Sequence, residues 1–122
     1  MSCKDDGTFG FISSTRKSKA NIESLDDVSW LKELNPVQFN YRKRIGETQA
    51  YGKQAYENLE YGLIAEEVEP IAPELCCYDE TESGKELVGL DYNKLIAPTI
   101  KALQTALTRI EALEAEVAAL KS

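Results

Sequence analysis

An unbroken heptad at the C-terminal end constrains this chain most. Tyr92, Ile96, Thr99, Leu103, Ala106, Ile110, Leu113, Val117 and Leu120 step by four and three residues, with no glycine among them and only Pro98 near the start. Such a pattern predicts one long helix over 91–121 whose apolar seam a single copy leaves open. With Ile96, Leu103, Ile110 and Val117 at position a and Thr99, Ala106, Leu113 and Leu120 at d, position e is apolar at Ile100 and Leu107 and polar at Glu114 and Lys121. The first half is therefore expected to pack on the rest of the chain and the second to protrude. Arg109 at g faces Glu114 at e of a parallel neighbour, and Glu116 faces Lys121 in the same way, so both pairs favour a parallel coiled coil. β-Branched residues at a with leucine at d lean towards two strands, while Thr99 and Ala106 do not discriminate. The alternative is an ordinary core helix of a monomer.

This helix leaves about three quarters of the 122 residues to build a core, which is expected to be thin and completed by neighbouring copies. A net charge of −7 argues against a nucleic-acid or anionic-membrane surface, although Arg42-Lys43-Arg44 forms one local basic patch. No apolar run approaches the ~18 residues of a membrane span, and the N-terminus lacks the charged-then-apolar pattern of a signal peptide. Cys3, Cys76 and Cys77 are odd in number, and adjacent cysteines on a strand point to opposite faces, so a disulfide framework is not expected. With no histidine a metal site is not expected either, nor is a cofactor.

Taken in order, Asp5-Asp6-Gly7-Thr8 is a turn signal and Phe9-Gly10-Phe11-Ile12 a short extended segment that reads as the end of something upstream. Ile22, Leu25, Val28, Trp30-Leu31 and Leu34 predict a helix over 23–34, ended by Asn35-Pro36. Val37, Phe39 and Tyr41 alternate with polar residues as in a half-buried strand. Residues 43–59 lack periodicity and read as a loop or projecting arm. Ala65–Glu69 reads as a short helix limited by Pro70 and Pro73, with Glu66, Glu67 and Glu69 on a solvated face rather than in acid–base roles. Leu75–Tyr78 and Glu86–Leu90 read as a β-hairpin with a longer turn, and Asp91 as a helix N-cap. The fold class is thus α+β: a small mixed domain ending in the long helix.

One stretch carries candidate chemistry. Ser13-Ser14-Thr15-Arg16-Lys17-Ser18-Lys19-Ala20-Asn21-Ile22 places a hydroxyl and an amine five positions apart, and a serine attacks a carbonyl only when a nearby base removes its proton. Lysine is the remaining candidate in a chain without histidine. A free lysine titrates near ~10.4, so a lysine base working near neutral pH must be held about three pH units lower, roughly 4 kcal/mol, by burial or neighbouring positive charge such as Arg16 and Lys17. The competing reading is a basic, serine-rich lead into the first helix.

Five motifs in order resemble the intramolecular chaperone auto-processing domain of phage tailspikes, tail fibres and endosialidases: 14–22, Leu34-Asn35-Pro36-Val37-Gln38-Phe39-Asn40-Tyr41, Tyr61-Gly62-Leu63-Ile64-Ala65-Glu66-Glu67-Val68, Pro73-Glu74-Leu75 and Asp91-Tyr92-Asn93-Lys94-Leu95-Ile96. The resemblance implies a homotrimer with projecting arms and a terminal helical bundle, which overrules the lean towards two strands. Its trimer seam would use Ile96, Leu103, Ile110, Leu113, Val117 and Leu120. It implies an upstream β-structured client in the same chain, assembled and then released by a serine–lysine dyad. Carried over by position, Ser14 is the nucleophile, Lys19 the base and Ser13–Ser14 the broken bond, with Arg16, Lys17 and Asn21 as supporting residues. Residues 1–13 then belong to the client side and 14–122 to the chaperone, acting in the host cytoplasm during phage assembly on the precursor of a virion tail appendage. The family pattern has arginine two positions before the lysine. This chain has Lys17 there, so if that arginine orients the dyad the cut is slowed. Two other classes of function compete: a trimerisation module with an inert Ser14/Lys19 pair, and a coiled-coil adaptor unrelated to folding.

Overall fold

A computed structural model describes residues 14–121. Expectations for residues 1–13, including the extended segment at 9–12 and Ser13, lie outside the described residues. The architecture is α+β, with three two-stranded antiparallel sheets, short helical turns and one long C-terminal helix. Strand β1 (Val37–Phe39) pairs with β4 (Glu60–Gly62), β2 (Arg42–Arg44) with β3 (Tyr51–Ala55), and β5 (Cys76–Thr81) with β6 (Gly84–Leu90). Helix α1 spans Ala65–Val68 and α2 spans Ile96–Lys121.

The core is as thin as the sequence suggests. Val68, Ala72 and Leu75 are buried, and Trp30, Leu34, Leu63, Ile71, Cys76, Leu90 and Leu95 pack against them. At one edge of it the Tyr78 hydroxyl hydrogen-bonds the Glu69 carboxylate at 2.5 Å, which pushes the phenol up to about 12 and ties β5 to the end of α1.

Several elements depart from the sequence reading for identifiable reasons. Of the helix expected over 23–34, only the 3-10 turn Ser29–Glu33 forms. The Asp27 carboxylate accepts a hydrogen bond from the Ser29 backbone N–H at 2.9 Å, which holds the carboxyl below its ordinary range and offers the backbone an alternative to a helix. The loop or projecting arm expected at 43–59 is largely a β2–β3 hairpin, which begins at Arg42. Its strands are held by the Arg44 guanidinium over the Tyr51 ring at 4.5 Å, with Arg44 also donating to Gln49 and to the Tyr51 hydroxyl, rather than by alternating apolar residues. The β5–β6 hairpin has a tight turn rather than a longer one, because Gly84 at φ +118° reverses the chain directly and the Thr81 hydroxyl donates to its carbonyl at 2.8 Å. Cys77 is buried and disulfide-bonded, contrary to the reading of the cysteines. Its neighbour Cys76, on the opposite face of the strand, is a free thiol that burial pushes up.

The long helix begins as expected, with Asp91 Oδ1 accepting from the Asn93 N–H at 3.1 Å, but its first turn, Tyr92–Leu95, is 3-10. Tyr92 fastens α2 to the sheet. Its hydroxyl accepts from the Leu63 N–H at 3.0 Å and donates to the Leu63 carbonyl at 3.3 Å, and a Cβ on Gly62 would lie 2.7 Å from that oxygen. Gly62→Ala is therefore expected to destabilise the chain by about 1–3 kcal/mol, read as a drop in melting temperature. Tyr92→Phe removes the clashing oxygen, so the double variant should cost less than the two singles added; strict additivity would contradict this contact.

Candidate functional site

Ser14 and Lys19 meet across one short turn. Residues Arg16–Ser18 form a 3-10 turn in which the Ser18 and Lys19 N–H groups donate to the Thr15 and Arg16 carbonyls at 3.1 and 3.2 Å. The Ser18 hydroxyl donates to the same Thr15 carbonyl at 2.8 Å, doubling the closure. This compact loop returns the chain so that Lys19 Nζ donates to Ser14 Oγ at 2.7 Å. Two residues on, Asn21 has φ +55°, a left-handed conformation that asparagine tolerates better than most residues, and it redirects the chain. Arg16 and Lys17 lie within the turn, exposed, and their side chains make no hydrogen bond to a described residue. Sequence reasoning named Ser14, Lys19 and Asn21 but missed Ser18, whose signal was a serine three residues after Thr15.

Every residue from Ser14 to Asp27 is exposed in the single chain. Lys19 Nζ donates and Ser14 Oγ accepts, so the contact has the spacing for proton transfer but the opposite direction from the one a base requires. Among the described residues no cluster of three or more acidic or cysteine side chains could hold a metal ion, and no helix is long and apolar enough to cross a membrane.

The second feature is α2. The 3-10 turn Ser29–Glu33 lies against one flank of the helix, where Pro98 is buried, Ala102 and Thr105 are half-buried, and Val28 and Leu31 help line a groove of about 490 Å³. These positions are c and g of the heptad. Packing on the rest of the chain thus occurs in the first half of the helix, as expected, but through c and g rather than through Ile100 and Leu107 at e. The a, d and e side chains are left open: Ile96, Ile100, Leu103, Leu107, Ile110, Leu113, Val117 and Leu120 are 48–86 % exposed.

The model of the family described as Chaperone of endosialidase, Peptidase_S74, matches residues 14–76, just over half of the chain. The chain belongs to the chaperone-of-endosialidase family. No curated protein matches it. The match begins at Ser14 and takes in the turn to Lys19, the β1–β4 ribbon, α1 and the first residue of β5. In this chaperone-of-endosialidase chain the long helix lies beyond the matched residues.

Proposed function

We propose that this chain is a C-terminal intramolecular chaperone that trimerises, assists folding of an upstream β-structured client, and then cuts itself free between Ser13 and Ser14. The observation that carries the reading is the 2.7 Å contact between Lys19 Nζ and Ser14 Oγ in a member of a family named for both chaperone and peptidase. The width of the exposed helix face supports assembly into three rather than two. A two-stranded seam covers a and d alone, whereas here Ile100 and Leu107 at e widen the apolar stripe by a third position. Burying one such side chain contributes about 1.5–3 kcal/mol, so several per copy outweigh the loss of freedom on association.

Assembly and chemistry are linked through solvent. When a neighbouring copy covers the turn, the lysine amine loses water and its neutral form is favoured; the same 2.7 Å contact then reverses, with the Ser14 hydroxyl donating to the amine lone pair. The Ser14 oxygen attacks the Ser13 carbonyl carbon, and the proton taken by Lys19 passes to the Ser14 nitrogen as the C–N bond breaks. Water hydrolyses the resulting ester. Turnover is single because the substrate is the chain's own backbone, and the cut reports completed assembly. Loss of the chaperone leaves the client without its folding route, which gives kinetic stability. The setting is the host cytoplasm during phage assembly, and the product a virion tail appendage.

Intact mass spectrometry of a client fusion tests the reading. A fragment beginning at Ser14 is expected, and a fusion that trimerises but stays whole would favour the non-catalytic trimerisation module instead. Asn21 offers a graded check. Glycine adopts its φ of +55° freely, whereas a β-branched residue there is strained by about 1–2 kcal/mol. Asn21→Gly should therefore cut at close to the parental rate and Asn21→Val roughly 5–30-fold more slowly. Equal rates would show that the turn is not held by this residue.

A further inference from the structure

Among the described residues the β2–β3 arm makes no extensive contact with other elements, although an isolated two-stranded hairpin is only marginally stable in water. It extends from the β1–β4 ribbon across a junction pinned by Asn40 Nδ2 donating to the Asn58 carbonyl at 2.8 Å. From 42 to 55 it carries Arg42, Lys43, Arg44 and Lys53 against one acid, Glu47, all exposed, in a chain whose net charge is −7. The β5–β6 hairpin is its electrostatic mirror, with Asp79, Glu80, Glu82 and Glu86 against Lys85, also exposed. Asp79 stands directly across the ladder from Glu86, a like-charged pair that is unfavourable unless a cation approaches. Among the described residues no ion pair joins the two hairpins within one chain.

We propose that the basic arm of one copy docks on the acidic β5–β6 hairpin of a second copy. The inference rests on the trimeric reading above and adds to it a head-to-tail contact, arm to hairpin, that closes after three copies. Arg44 is tied to Tyr51 and Gln49 and shapes the arm, and Lys43 Nζ lies over the Tyr56 ring at 5.3 Å with its outer face open, so Arg42 and Lys53, joined by Lys43, are the cations that meet carboxylates.

Two measurements on the full chain test it. In a sample refolded from equal parts of isotope-labelled and unlabelled chains, a carbodiimide should join Lys43 or Lys53 to Asp79, Glu80 or Glu86 in peptides of mixed label; exclusively same-label links would overturn the contact. In parallel, R42E/K43E/K53E and D79K/E80K/E86K, each checked for folding by circular dichroism, should exchange subunits at least ~10-fold faster than the parent at low salt. Combining both sets in one chain should restore the parental rate, and ~0.5 M salt should erase the differences. Exchange unaffected by arm reversal, or a combined variant that stays fast, overturns the contact while leaving the trimer standing. Arm reversal that spares exchange but impairs a fused client would assign the arm to the client and equally overturn it. A parent that does not associate at all contradicts the trimeric reading itself.

Discussion

Ser14→Ala, placed behind a β-structured client, is expected to yield one uncut polypeptide where the parent yields two fragments, with the oligomeric state unchanged. The hydroxyl is the only group at that position able to form the ester, and its removal leaves Lys19 Nζ without its 2.7 Å partner. Lys19→Ala should act in the same direction, on the order of 10²–10⁴-fold slower, because it removes the base but leaves the nucleophile. Lys19→Arg should not rescue, since a guanidinium keeps its proton and cannot accept one. Intact mass against time reads all three. A Ser14→Ala chain that still breaks before residue 14 would mean that the dyad is misassigned. A Lys19→Ala chain that cuts at the parental rate would leave Ser14 with another base.

Leu103→Asp combined with Ile110→Asp is expected to have the second large effect: a single-copy protein that neither supports its client nor cuts. Both positions belong to the a row, both side chains are at least 51 % exposed in the single chain, and neither contributes to the core around Val68. The substitutions are therefore nearly neutral for the isolated fold. In the assembled state each would put a carboxylate into an apolar seam in every copy, which costs several kcal/mol per charge. Sedimentation reads the loss of association, and circular dichroism the retained fold. Arg109→Glu at the rim should weaken association far less, because exposed g–e pairs contribute about 0–1 kcal/mol each. If the aspartate variant is a single copy yet still cuts, assembly does not activate the dyad.

These two results would also explain which parts of the molecule were legible from sequence alone. The long helix and its exposed apolar stripe were legible because a strict four–three step sustained over many turns has few other meanings. The Ser14–Lys19 pair was visible because its geometry is local, a spacing of five closed by one turn. The β5–β6 hairpin was visible from its apolar flanks, and Asp91 from cap chemistry. What escaped depends on side chains that hydropathy does not weigh. Asp27 bonding the Ser29 N–H dissolves an apparently periodic helix, and Arg44 stacked on Tyr51 builds strands where alternation is absent. The tether of Tyr92 to Leu63 over Gly62 joins residues about thirty positions apart, and no local signal announces such a contact. It nevertheless gives two of the resembling motifs a physical reason: the glycine makes room for the phenol that fixes where α2 begins.

The fold accordingly divides its labour. A small core positions a long helix so that one flank is used internally and the wider a, d and e face is exposed, while the Ser14–Lys19 turn is open to water in the single chain and, on the proposed reading, is covered by a neighbour. Sedimentation equilibrium of the purified chain tests this most directly. Three times the 13.6 kDa of one chain at micromolar concentration is the predicted result; a species of 13.6 kDa across that range would contradict it.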